Sequence, residues 1–168
     1  MVERYYPVGI QTFSEIINGG YVYIDKTDLM WRMQNRRKYI FLSRPRRFGK
    51  SLLSSTLQSY FEGHKELFCG LKIMALESEW ENYPVIHLDL SIAKGKSSSK
   101  ELSDALMWLL QPYCELYGQG VKEDTPGKRI MGLITRAYHD TGKQAVIIID
   151  EHDAPLLEIG RASCRERV

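Results

Sequence analysis

The apolar positions of the first third of the chain come in short bursts. "TFSEIINGG" carries a possible N-cap at Thr12, a glutamate three residues on at Glu15 and a glycine stop at Gly19-Gly20, which predicts a short capped helix. "YVYID", Tyr21 to Asp25, reads as a strand, and "KTDLMWRMQNRR" as a helix with Leu29, Met30 and Met33 on its inner side. Together they form a helix and strand prelude over residues 1–38.

From residue 39 to 158 strands and helices alternate. "KYIFLS" is a short apolar, aromatic and β-branched run stopped by Pro45. Helical spacing then restarts in "KSLLSSTLQSYFEG" at Leu52, Leu53, Leu57 and Tyr60/Phe61. "YPVIHLDLS" is a second strand, "GKSSSK" a polar loop, and Lys100 to Tyr117 an amphipathic helix with Leu102, Leu106, Leu109, Leu110 and Tyr113 inward. Pro112 should kink or split that helix, because it lacks an N–H and clashes with the preceding turn. "TPGKRIMGLITRAYHDTGK" predicts another helix, with Gly142 as its C-cap. The consecutive β-branched residues of "QAVIIID" suit a strand buried on both faces of a parallel sheet. Strands alternating with helices imply a doubly wound α/β domain, a parallel sheet flanked by helices.

Composition narrows the class. The chain has 168 residues, 43% apolar and 26% charged, enough for one domain with a real core. Its net charge of +2 is carried wholly by the last ten residues, which hold three arginines and one glutamate, so no global attraction to nucleic acid follows. Cys69, Cys114 and Cys164 form no CxxC pair and no metal-ligand spacing, which argues for a reducing, cytoplasmic setting. No apolar run approaches the ~18 to 20 residues that cross a bilayer, and the N-terminus has no signal-peptide core, so a soluble protein without a membrane partner is expected.

The tail stands apart. "IGRASCRERV", Ile159 to Val168, has no periodicity and follows directly on "DEHDAPLLE". Back-translated as ATC GGA AGA GCG TCG TGT AGG GAA AGA GTG, it resembles a short-read sequencing adapter, so residues 159–168 are expected to be an artefact and are excluded from fold reasoning, as a fusion scar would be.

The candidate chemistry lies in two places. "SRPRRFGKS", Ser43 to Ser51, ends like a phosphate-binding loop but has Arg44 where the usual pattern G-x-x-x-x-G-K-[ST] demands glycine. Such a loop works because successive N–H groups and the positive end of a helix converge on phosphate oxygens, while lysine adds charge and Ser/Thr a hydroxyl for Mg²⁺. Gly49, Lys50 and Ser51 fit those roles, with Leu52 following. Arg44 is pushed toward extended conformations by Pro45, which has no N–H to offer, leaving the amides from about Arg46 to Ser51 as the cradle. Arg46 and Arg47 either charge-pair with phosphates or face outward toward solvent, a partner or nucleic acid. "VIIIDE" supplies the second motif, in the right order and at a strand end, where α/β ligand sites form. Asp150 would hold the Mg²⁺ shell and Glu151 would orient and polarise the attacking water. A surface acidic turn and a basic scaffold unrelated to nucleotide are the plain alternatives.

Other residues weigh less. Gly127-Lys128 and Gly142-Lys143 follow no apolar strand and read as turns. His87 and Asp89 share a strand face by the period of two, either near the nucleotide or as a satisfied pair. Asp25 and Asp153 read as helix caps. No His/Cys cluster suggests zinc.

With these pieces in view, the chain resembles the bacterial AAA-ATPase-like proteins, whose divergent P-loop domain is usually followed by a PD-(D/E)XK nuclease-like domain. The resemblance rests on "YIDKT" (Tyr23 to Thr27), "SRPRRFGKS", "LFCGLKI" (Leu67 to Ile73), "YPVIHLDLS" (Tyr83 to Ser91) and "IDEHDAP" (Ile149 to Pro155). It implies an ATP-binding and hydrolysing, Mg²⁺-dependent P-loop NTPase with Walker A and Walker B motifs. Arg46, Arg47, Phe48, Gly49, Lys50, Ser51 and Leu52 would lie at the nucleotide, Ser51 and Asp150 at the metal, and Lys50 and Glu151 in catalysis. It makes the Arg-Pro entrance a normal form of the loop, and His152 stands where the family usually has tyrosine. It also implies a sheet order 5-1-4-3-2, in which the strand after the Asp-Glu motif inserts between the phosphate-loop strand and the Asp-Glu strand. That strand would lie beyond Glu158, so the 168-residue product is expected to be an unstable, inactive N-terminal piece of the ATPase domain. Nucleic acid would then be met only through a C-terminal domain of the parent protein. A nucleotide-dependent regulatory module with little turnover is the rival reading.

Overall fold

A computed structural model describes residues 5–35, 38–43, 45, 47–96 and 98–151. Arg44, Arg46, His152, Asp153 and the tail from Ile159 lie outside the described residues, as do the readings attached to them. The chain divides into two compact units, one ending at Asn82 and the other beginning at Tyr83.

The first unit is helical. Helices α1 (Phe13–Asn18), α2 (Thr27–Gln34) and α3 (Lys50–Phe61) are followed by two 3₁₀ turns, Lys65–Phe68 and Lys72–Ala75. Phe13, Met30, Leu67, Phe68 and Ile73 are buried as one cluster, with Leu52, Leu53, Leu57, Tyr60 and Trp80 packed against it. The rings of Phe13 and Phe68 lie 4.8 Å apart, and Phe13 meets Tyr23 edge-on at 5.3 Å. Each fully buried aromatic or aliphatic side chain contributes about 1.5–3 kcal/mol. Within α2 the apolar stripe is narrower than expected: Met30 is buried and Met33 half-buried, but Leu29 faces solvent. Thr12 occupies the N-cap position of α1 without a capping bond from its side chain.

Two expected strands are absent from this unit. Neither Tyr21–Asp25 nor the described part of "KYIFLS" is a strand, and Tyr39 and Phe41 are strongly exposed. A strand exists only through a ladder, and among the described residues neither segment joins one: the Val22 N–H donates to the Tyr5 carbonyl at 2.9 Å without extending into a ladder. Local β propensity did not suffice.

The second unit is α/β. Strand β1 (Val85–Asp89) pairs in parallel with β2 (Val146–Asp150), with Asp89 opposite Asp150. A parallel pair needs a crossover, and helices α4 (Ser99–Leu109), α5 (Gln111–Tyr117) and α6 (Pro126–Thr141) supply it. Pro112 splits the expected long helix as foreseen: α4 stops at Leu109 and α5 takes Pro112 into its first turn. Gly142 caps α6 in the left-handed conformation, φ 69°.

Ile86 and Leu88 of β1 bury against Leu110, Cys114 and Leu133. In-register neighbours of a parallel pair share a face, so Ile147 and Ile149 continue the face of Ile86 and Leu88. They are nevertheless 40% and 51% exposed. The helices therefore cover the β1 half of that face and leave the β2 half open, in contrast to the expected burial of β2 on both sides. The outer edge of β1 is closed by a side chain. The Tyr113 hydroxyl accepts from the His87 N–H at 2.8 Å and donates to the His87 carbonyl at 2.8 Å, standing where another strand would bond. No described helix is long and apolar enough to cross a membrane.

Candidate functional site

In the first unit the sequence "RFGKSL" turns the chain into α3. Arg47 has φ 67° and Gly49 φ 72°, two left-handed residues flanking Phe48. At Gly49 a β-carbon would meet nothing within 4 Å, so glycine is required by the backbone conformation and not by space. Arg47 holds the same region with a full side chain, at a cost of about 1–2 kcal/mol. Strain of this kind collects where the backbone must be aimed.

The aim is the open end of α3. The Gly49 carbonyl accepts the Leu53 N–H at 3.1 Å, which is the first turn of the ladder. The amides of Lys50, Ser51 and Leu52 precede that bond and have no acceptor within the helix. Gly49 has no side chain to cap them, and no acidic residue lies in the first turn. The helix thus presents convergent N–H donors and the positive end of its dipole, which is what an anion requires. Lys50 and Ser51 are half-buried, Phe48 is 64% exposed, and Leu52 packs into the core and offers only its amide.

In the second unit the site residues lie at the C-terminal end of β2. Asp150 is 7% exposed, and its Oδ1 accepts the N–H of Glu151 at 2.9 Å. Among the described residues its other oxygen has no hydrogen-bond partner. Glu151 stands at φ 50°, again left-handed. Its Oε2 lies 3.4 Å from the Nζ of Lys94. Lys94 went unnoticed in the sequence because it sits in a polar loop far from Glu151, and only the pairing of β1 with β2 brings the two together. Asp89, beside Asp150 in the ladder, is exposed and its Oδ1 accepts the Ser91 N–H at 2.9 Å, a local turn.

Asp25 has a structural role that differs from a simple cap. Its carboxylate accepts the Thr27 N–H at 2.9 Å, the Thr27 hydroxyl at 2.7 Å and the Lys72 N–H at 2.7 Å, while Thr27 Oγ1 accepts the Ile73 N–H at 3.1 Å. "YIDKT" is thereby bolted to "LFCGLKI". Partial burial pushes the Asp25 carboxyl up, but the bonds from Thr27 and Lys72 and the Lys72 charge outweigh it and hold the group below its ordinary range.

Of the predicted site residues, Arg47 to Leu52 meet at one helix end, and Asp150 and Glu151 at one strand end. A curated relative, an uncharacterized protein of the vnfD 5′ region of Azotobacter chroococcum mcd 1, is 32% identical over 162 residues, covering 94% of this chain and 31% of the relative. The chain therefore spans about a third of the curated relative's length. No solved structure matches it. The model of the family described as Predicted AAA-ATPase matches residues 7–167, across both the open end of α3 and the Asp-Glu end of β2, and the chain belongs to that family.

Proposed function

We propose that the chain is the N-terminal part of a P-loop domain that binds and hydrolyses ATP with Mg²⁺, in a parent protein that couples nucleotide state to a C-terminal nuclease-like domain. The observation that carries this reading is the end of α3 at Gly49-Lys50-Ser51, which no described residue caps. The amides of residues 50 to 52 bind phosphate oxygens, and Lys50 adds a charge to them.

The residues fit Mg²⁺. Ser51 and Asp150 would each supply a hard oxygen ligand of the kind the ion prefers, and the Asp150 carboxylate has a second oxygen beside the one bonded to Glu151. Bound there, the ion would offset the charge of the phosphates. Glu151 orients the attacking water and takes its proton. The expected sheet order also gains support. Parallel pairing of β1 with β2 suits the adjacency of strands 2 and 3, and the Tyr113 hydroxyl on the outer edge of β1 suits a strand at the sheet margin.

Glu151→Gln in the intact protein is expected to lower ATP turnover about 10²- to 10⁴-fold while ATP stays bound, as loss of a general base does. Single-turnover kinetics with a filter-binding assay checks both halves; undiminished turnover would overturn the role of Glu151. The rival, a module that holds nucleotide with little turnover, draws on one observation, the tie between Glu151 and Lys94.

A further inference from the structure

We propose that Lys94 is a positioning residue that tethers the Glu151 carboxylate in a resting arrangement, and that ATP turnover requires this pair to open. The inference rests on the reading of Glu151 as the water-activating group.

Both partners project from backbone that is pinned. On the lysine side, Asp89 Oδ1 accepts the Ser91 N–H and starts the 3₁₀ turn Leu90–Ala93. The Lys94 N–H donates to the Ser91 carbonyl at 3.0 Å, the Lys96 N–H to the Ala93 carbonyl at 3.2 Å, and Ala93 is 1% exposed. Gly95 then turns away with φ 79°. On the glutamate side, the Asp150 carboxylate holds the Glu151 N–H, and the residue is fixed in the left-handed region. The moving parts are the two side chains alone.

Their pairing has a chemical consequence. A carboxylate oxygen engaged by an ammonium is turned toward that charge and away from a water it would have to orient. The tether is weak by construction, since the Lys94 side chain is 52% exposed and that of Glu151 26% exposed. Ion pairs open to solvent in this way bias an equilibrium only severalfold. A lysine that served phosphate instead would support turnover; one that restrains the base slows it.

The test compares Lys94→Met, Lys94→Arg, Glu151→Gln and the Lys94→Met/Glu151→Gln double variant of the intact protein. Lys94→Met is expected to raise kcat about two- to fivefold, the range of a half-exposed pair, and to leave KM for MgATP within about twofold. Lys94→Arg keeps the restraint and the parent rate, and Lys94→Met has no effect in the Glu151→Gln background. A second readout does not use turnover. Acylation by acetic anhydride, read by peptide mass spectrometry, is expected to be about two- to fivefold faster at Lys94 in Glu151→Gln and unchanged at Lys96. A fall in kcat for Lys94→Met, or equal Lys94 labelling in both proteins, would overturn the tether while leaving the ATPase reading intact. Absence of ATP turnover in the parent protein, with faster Lys94 labelling in Glu151→Gln, would overturn the ATPase reading and with it the purpose of the pair.

Discussion

Helices α3 and α4 are nearly the same length, 12 and 11 residues, and begin in opposite ways. At α4 the Ser98 hydroxyl accepts the Glu101 N–H at 3.1 Å and the Glu101 carboxylate accepts the Ser98 N–H at 3.3 Å, a reciprocal capping box. α6 is capped in the same spirit by Thr125. At α3 the corresponding place holds a left-handed glycine, and no described residue caps the amides. Where an end only has to be stable, the chain supplies its own acceptor; on the proposed reading the end of α3 leaves that place to a phosphate. The strained backbone at Arg47 belongs with the second kind of end.

The contrast can be broken by removing what each end depends on. The largest effect is expected for Lys50→Ala, which should weaken ATP binding by about 100-fold, equivalent to about 3 kcal/mol for a lost charge-assisted contact. Calorimetric titration of the intact protein measures it, and an unchanged affinity would remove α3 from the binding site. Tyr113→Phe comes next. It strips the His87 N–H and carbonyl of their shared partner and should lower the stability of the second unit by about 2 kcal/mol, seen as a lower urea midpoint.

Ser98→Ala should lower stability by about 1 kcal/mol through the lost cap, with ATP affinity unchanged. A change in affinity there would mean that the two helix ends are not separate in function. The smallest effect concerns Asp25. Its folded-state pKa lies below the unfolded one, so its contribution is complete above the unfolded value and fades as pH falls through the folded value. Urea midpoints measured from about pH 5 down to about pH 2 should therefore decline more steeply in the parent protein than in Asp25→Asn.

Much of this was legible in the residues. Gly-Lys-Ser before a run of leucines marked the start of α3, Pro112 marked the break between α4 and α5, and Gly142 marked the end of α6. These are local signals, set by dihedral preference and missing N–H groups. Strands obey a different rule. "VIHLD" and "VIIID" found each other, but "YVYID" and "KYIFLS" carry the same composition and form no ladder among the described residues. Burial of β2 was over-read for a related reason, since β-branched character does not say how far neighbouring helices reach. Lys94 and the Asp25 bridge to Lys72 escaped because each joins segments distant in sequence. A helix cap predicts a partner two or three residues away, whereas these partners are set by tertiary packing.

The hydroxyl of Tyr113 has a bearing beyond its two bonds. By engaging both backbone groups of His87 it makes that margin a poorer template for a strand from another molecule. Tyr113→Phe would hand the His87 N–H and carbonyl back to any strand that approaches that margin.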